Sequence, residues 1–215
     1  MNRPARLVPA ALVTTAALLL TACGSGDEDG SSSDKIKGAD RGSSTSSPSP
    51  STSAASDGRP EIPFPSTFTM NFERWTNSDP KLQAILNDGK EALRANHAAI
   101  IEADPDATYV AFYNSGAALD SSKKWINGYV KTDDSLIGVV RVFEPQVSVN
   151  SSGLGVLFYC VDEGKGFTKN RKTGKVVGTP DGTSPNLQYR TTLEKTSQGV
   201  WKTRSVETER GACGQ

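Results

Sequence analysis

The apolar residues change their period at Leu136. Leu82, Ile85, Leu86, Leu93 and Ile100 recur at helical spacing, and the same spacing returns at Leu119, Ile126, Tyr129 and Val130. From Leu136 the period becomes two, with Val140, Val142, Val147 and Val149 on alternate positions. Helices first and strands after is the order of an α+β domain, with N-terminal helices packed on an antiparallel sheet.

Local signals divide that domain. Asp79 is placed to cap a helix with Pro80 at its first position, where a missing N–H costs nothing. The helix is expected to end near Ala103-Asp104, because Pro105 disfavours helix at the residue before it. A short second helix is expected over Asp106 to Asn114, and a third up to about Lys131, followed by a turn at Asp133-Asp134. Strands are expected over Leu136 to Val149, with Pro145 at an edge or bulge, and over Leu154 to Val161, the most apolar. Asp162 to Lys175 is polar, with a small hairpin at Thr173-Gly174, and two more strands run over Gln188 to Lys195 and Val200 to Glu209. Phe68, Met70, Phe72 and Trp75 precede all of this and are expected to fold back on the domain surface. Residues 61–215 thus form a single domain of ordinary size.

The chain before it is of another kind. Arg3 and Arg6 precede an apolar run from Leu7 to Leu20, too short for the roughly 20 residues of a spanning helix. This is the pattern of a removed leader over residues 1–22. Leu20-Thr21-Ala22-Cys23 resembles a bacterial lipobox, which implies a diacylglyceryl group on Cys23 and a place on the outer face of the cytoplasmic membrane. Two acyl chains meet the requirement for stable anchoring. Residues 23–60 then form a disordered linker: Gly24 to Pro60 holds twelve Ser, and Ile36 is its only aliphatic side chain larger than Ala. Its root-mean-square span is roughly 35 Å.

Charge and cysteine content narrow the partners. The chain carries 24 basic and 24 acidic residues, and losing Arg3 and Arg6 with the leader leaves 22 against 24, a net −2. That balance gives no electrostatic case for nucleic acid. There are three cysteines. With Cys23 lipidated, Cys160 and Cys213 remain as a pair in an oxidising space, where a disulfide is expected. Two distant cysteines and a single histidine make a poor metal site, and no cofactor is implied.

Helices followed by a curved antiparallel sheet resemble the nuclear transport factor 2-like cone fold. That group holds polyketide cyclases, ketosteroid isomerase-like enzymes and many non-enzymatic binding domains. Tyr159-Cys160-Val161-Asp162-Glu163, Asn170 to Val176, Gly199 to Thr203 and Glu209 to Cys213 are also similar to uncharacterised secreted lipoproteins of high-GC Gram-positive (actinobacterial) bacteria. The resemblance spans most of 61–215, brings no catalytic residue with it, and admits a dimer formed through the sheet.

Several side chains have two roles open to them. His97, the one histidine, is either a rim residue of the first helix or a general base pointing into a cone cavity. Asp162 and Glu163 are either a solvated turn or a cavity base at a strand end. Trp75, Tyr113, Trp125, Phe143, Phe158 and Tyr159 either line a small-molecule pocket or fill the core. Lys165, Lys169, Arg171, Lys172 and Lys175 are either a charged hairpin kept soluble or a contact with anionic headgroups or wall polymer. No Gly-x-Ser-x-Gly surrounds any serine. The expectation is a membrane-anchored extracytoplasmic lipoprotein with a non-catalytic domain that binds a small molecule or a protein. The alternatives are an isomerase, cyclase or hydrolase using a cavity carboxylate, and a structural protein touching wall or membrane.

Overall fold

The computed structural model describes residues 58–214. The leader, Cys23 and the linker up to residue 57 lie outside the described residues. The elements are β1 (Phe68–Phe72), α1 (Pro80–Glu102), α2 (Thr108–Tyr113), α3 (Gly116–Lys131), β2 (Asp134–Val149), β3 (Gly155–Asn170), β4 (Val176–Val177), β5 (Asn186–Lys195) and β6 (Trp201–Arg210).

Helix α1 starts as its sequence dictates. The Asp79 carboxylate accepts from the N–H groups of Lys81 at 2.7 Å and Leu82 at 3.2 Å, and Pro80 occupies the first turn. It ends at Ala103 in the left-handed region, φ 59°. The Arg171 guanidinium, from the turn after β3, donates to the carbonyls of Ile100 and Ile101 and so satisfies part of that C-terminus. One side of α1 carries Ile85, Leu86 and Leu93 into a cluster with Val142, Leu157, Val161, Leu193 and Trp201 of the sheet. The other carries Ala95, Ala98, Ala99 and Ile100 into a cluster with Val110, Tyr113 and Ile126 of α2 and α3. The alanines leave room for the other helices to approach closely.

The sheet runs β1-β2-β3-β5-β6, with β4 paired to β3. It is mixed rather than antiparallel, because β1 lies parallel to β2 with Phe68 opposite Gly138 and Phe72 opposite Val142. Phe68 and Met70 are therefore buried strand residues, not a surface flap. Alternation in 68–72 is visible in the sequence, but the partner lies about 70 residues later, beyond the reach of local signals. Register shifts between Val139 and Arg141, between Phe143 and Gln146, and between Thr192 and Leu193 bend the strands, the second falling at Pro145 as anticipated.

Strand β3 is twice the length expected. It runs through Asp162 and Glu163 to Asn170, so these carboxylates stand within a strand and not on a turn. Cys160 and Cys213 form a disulfide with their Cα atoms 6.0 Å apart. Strand β5 lies between β3 and β6, so the bridge ties the segment after β6 back across it. No helix among the described residues is long and apolar enough to cross a membrane.

Candidate functional site

Alternation along β3 decides which side chains meet the helices. Leu157, Tyr159 and Val161 point to them and are buried; Phe158 and Asp162 point to the outer face. Glu163, one residue beyond Asp162, returns to the helix side and lines two cavities there. The adjacent carboxylates thus stand on opposite faces of the sheet. Asp162 accepts from the Gly164 N–H at 2.8 Å, pairs with Arg141 at 3.5 Å, and borders a separate outer-face groove with Asn71 and Lys165.

The first cavity, about 310 Å³, lies between the helices and the sheet. Phe68, His97, Trp125, Tyr129, Leu136 and Phe167 are among its walls, and Val177 of β4 and residues 178–180 with Thr183 of the following segment border it. The second, about 380 Å³, is bounded by Leu93, Asn96, Leu187, Tyr189 and Val206 among others. Trp125, Tyr129, Glu163 and Arg210 line both, so the two chambers adjoin at these residues. Among the described residues, Glu163 and Arg210 are the only charged ones lining either chamber. They face each other, Arg210 Nη2 donating to Glu163 Oε2 at 3.3 Å. Arg210 Nη1 also donates to the Ser184 carbonyl at 2.7 Å, and the Glu163 N–H donates to the Pro185 carbonyl at 3.0 Å. The ion pair therefore also holds the 178–185 segment beside the chamber.

His97 is not at the rim. It is 3% exposed, stacked on Phe68 with ring centroids 5.8 Å apart, and met edge-on by Trp125 at 5.3 Å. Its Nδ1 lies 2.9 Å from the Leu93 carbonyl oxygen. A carbonyl only accepts, so Nδ1 carries the proton and the ring is the neutral Nδ1–H tautomer. Burial lowers the imidazole pKa to about 4, against an opposing effect of the Leu93 hydrogen bond. Burial likewise raises the phenols of Tyr129 and Tyr189, with the nearby Glu163 charge adding to both. These groups are neutral at physiological pH.

Of the six aromatic residues expected to line a pocket or fill the core, Trp125 lines both chambers. Trp75 is core, its indole N–H donating to the Leu86 carbonyl at 2.7 Å and its ring edge-on to Tyr159. Tyr159 is stacked on Tyr189 at 5.0 Å and borders only a void of about 30 Å³. Tyr113 is buried among α1, α2 and α3. Phe143 lies under the Arg141 guanidinium, 3.9 Å from it, and Phe158 is on the outer face at 36% exposure. Phe68, Tyr129, Phe167, Tyr189 and Arg210 belong to the chamber walls but, Tyr129 apart, carry no site signal in the sequence. The helical spacing from Trp125 to Tyr129 places both on one face of α3, a signal that was there to be read.

The basic segment is partly consumed by the fold. Arg171 caps α1 and Lys172 pairs with Asp133 at 2.7 Å, leaving Lys165, Lys169 and Lys175 to face solvent. No group of His, Cys, Asp and Glu able to hold a metal ion occurs among the described residues.

No family model and no curated protein matches the chain. Solved structures do. Aln2 from a Streptomyces species is 13% identical, covering 63% of this chain and 94% of its own, with a TM-score of 0.44. A ketosteroid isomerase-like protein from Erwinia carotovora atroseptica is 18% identical, covering 62% of this chain and 98% of its own, at 0.41. ActVI-ORFA from Streptomyces coelicolor is 8% identical over 60% of this chain and 96% of its own, at 0.42. At such identities and scores these likenesses say nothing of activity.

Proposed function

We propose that the chain is a lipid-anchored protein of the outer face of the cytoplasmic membrane whose domain binds a small, largely apolar ligand without transforming it. The observation that supports ligand binding is the pair of chambers sharing Trp125, Tyr129, Glu163 and Arg210. Their combined size and aromatic lining, with a few convergent polar groups, are those of a small-molecule site. A non-catalytic role fits the state of the polar groups. The Glu163 carboxylate is engaged by Arg210, and His97 has committed its one N–H to Leu93. The anchor rests on Leu20-Thr21-Ala22-Cys23. Cys23→Ser should release the protein to the medium; retention at the membrane would mean that Cys23 is not its anchor.

Ligand binding is tested with 8-anilinonaphthalene-1-sulfonate on the full chain. Thr183 is exposed and borders the first chamber, so Thr183→Trp should fold normally and obstruct it. The expected result is binding weakened about tenfold in Thr183→Trp, a loss of about 1.4 kcal/mol. Phe158→Ser, on the outer face, should leave it unchanged. The reverse pattern would place the site on the outer face.

One observation favours a second reading: Glu163 lines both chambers, where a carboxylate has access to a bound carbon acid. In that case Glu163→Gln abolishes turnover of a ligand that still binds.

A further inference from the structure

Among the described residues lining the first chamber, one polar side chain is almost wholly buried and has a polar atom left over. His97 is 3% exposed and lines the first chamber. Its Nδ1–H is used by Leu93, and no described residue bonds Nε2. Nor is Nε2 sealed in the core. The described side-chain nitrogens and oxygens that are both sealed and unpartnered are Asn186 Oδ1 and Trp201 Nε1, and His97 is not among them. The cavity that His97 lines is the first chamber. In the Nδ1–H tautomer Nε2 bears a lone pair and no proton, so it can only accept. The ring cannot swing away, because Phe68 stacks on one face and the Trp125 edge closes on it.

Resting on the ligand-binding reading above, we propose that His97 Nε2 is the chamber's specificity-determining acceptor. It takes a hydrogen bond from an O–H or N–H of a neutral, otherwise apolar ligand, so the ligand class is a hydroxylated or N–H-bearing ring compound. Phe68, Trp125, Tyr129, Leu136 and Phe167 supply the apolar walls around that one directional contact. The Glu163–Arg210 pair stands elsewhere on the same wall, its charges balanced against each other. A ligand whose only polar atom is an acceptor would leave Nε2 buried without a partner, which is the source of discrimination.

The test titrates the full chain with 2-naphthol and with 2-methoxynaphthalene, which differ in the O–H. The native chain should bind 2-naphthol about tenfold more tightly, the effect of one buried hydrogen bond made against one left unmade. His97→Phe keeps the ring contacts to Phe68 and Trp125 and should reduce that preference to near unity. Should His97→Phe fail to fold, the imidazole ¹⁵N spectrum of the native chain decides, since it holds a single histidine. The Nε2 signal should move on adding 2-naphthol and not on adding 2-methoxynaphthalene. Equal binding of both probes, or a preference that survives in His97→Phe, would overturn this role while leaving the ligand site intact. Binding of neither probe would overturn both.

Discussion

Arg59 closes its guanidinium on the carboxylate of Asp88, a residue of α1 with no exposed surface. Asp88 Oδ2 also accepts the backbone N–H of Trp201 at 2.8 Å, the first residue of β6. One buried carboxylate therefore joins the segment entering the domain, the central helix and the last strand. Hydrogen bonding to Asp88, and to Tyr113 more weakly, holds the Arg59 charge more firmly than usual against the cost of burial. The composition of 23–60 reads as linker, yet Arg59 is part of the fold. A salt bridge spanning 29 residues leaves no trace in local composition.

Removing Arg59 strands the Asp88 charge in the interior. Arg59→Ala is expected to destabilise the domain by about 2 kcal/mol, less than the roughly 3–5 kcal/mol of a fully buried pair because 37% of the Arg59 side chain is exposed. Arg59→Ala with Asp88→Asn should recover part of that loss, as the amide oxygen still accepts from Trp201. Urea unfolding of the three chains checks this, and equal midpoints for single and double variants would count against it.

His97 makes stability depend on pH. Its folded pKa of about 4 lies below the unfolded value near 6.5, so between the two the unfolded chain binds the proton and the folded chain does not. The stabilisation is complete above about pH 6.5 and is lost as pH falls toward 4, by about 3 kcal/mol in total. His97→Phe should lack this part of the acid slope. Melting temperatures measured across pH 4–7 for both chains give the comparison.

The helical half of the domain was legible because its signals are local. Asp79-Pro80 and Pro105 bound α1 where their chemistry requires. The site was only partly legible. Adjacent Asp162 and Glu163 look equivalent in the sequence, and a strand through them sends them to opposite faces. Glycines at 164 and 166 and lysines at 165 and 169 hid that strand, since none of these favours β structure. His97 sits near the edge of the apolar stripe of α1, and its burial comes from Phe68 on a strand that local signals did not reveal. Arg210, at the end of β6, becomes a wall residue only through the order of the sheet.

Gly138 tolerates no side chain. Its φ is +94°, and a Cβ there would lie 2.3 Å from the Lys165 carbonyl oxygen and 3.0 Å from the Phe167 ring. Gly138→Ala should cost about 2–3 kcal/mol by combining left-handed strain with a backbone clash. Because Phe167 lines the first chamber, probe binding should weaken as well. Denaturant titration and the dye assay read the two effects separately.

The disulfide closes 53 residues. In the chain-entropy model that is worth about 4 kcal/mol, and replacing both Cys160 and Cys213 by Ala should lower stability by up to that amount. The linker cysteine at 23 should not exchange into the bridge, which mass analysis of non-reduced peptides reads directly.

Occupation of the chamber between the helices and the sheet can be read through the indole N–H resonances. Trp125 lines both chambers, whereas Trp75 is buried in the core with its N–H held by the Leu86 carbonyl. On adding 2-naphthol to the full chain, the Trp125 signal should shift in a saturable way while the Trp75 signal stays in place. A Trp125 signal that does not move at saturating probe, or that moves no more than Trp75, would mean that no ligand enters the chambers.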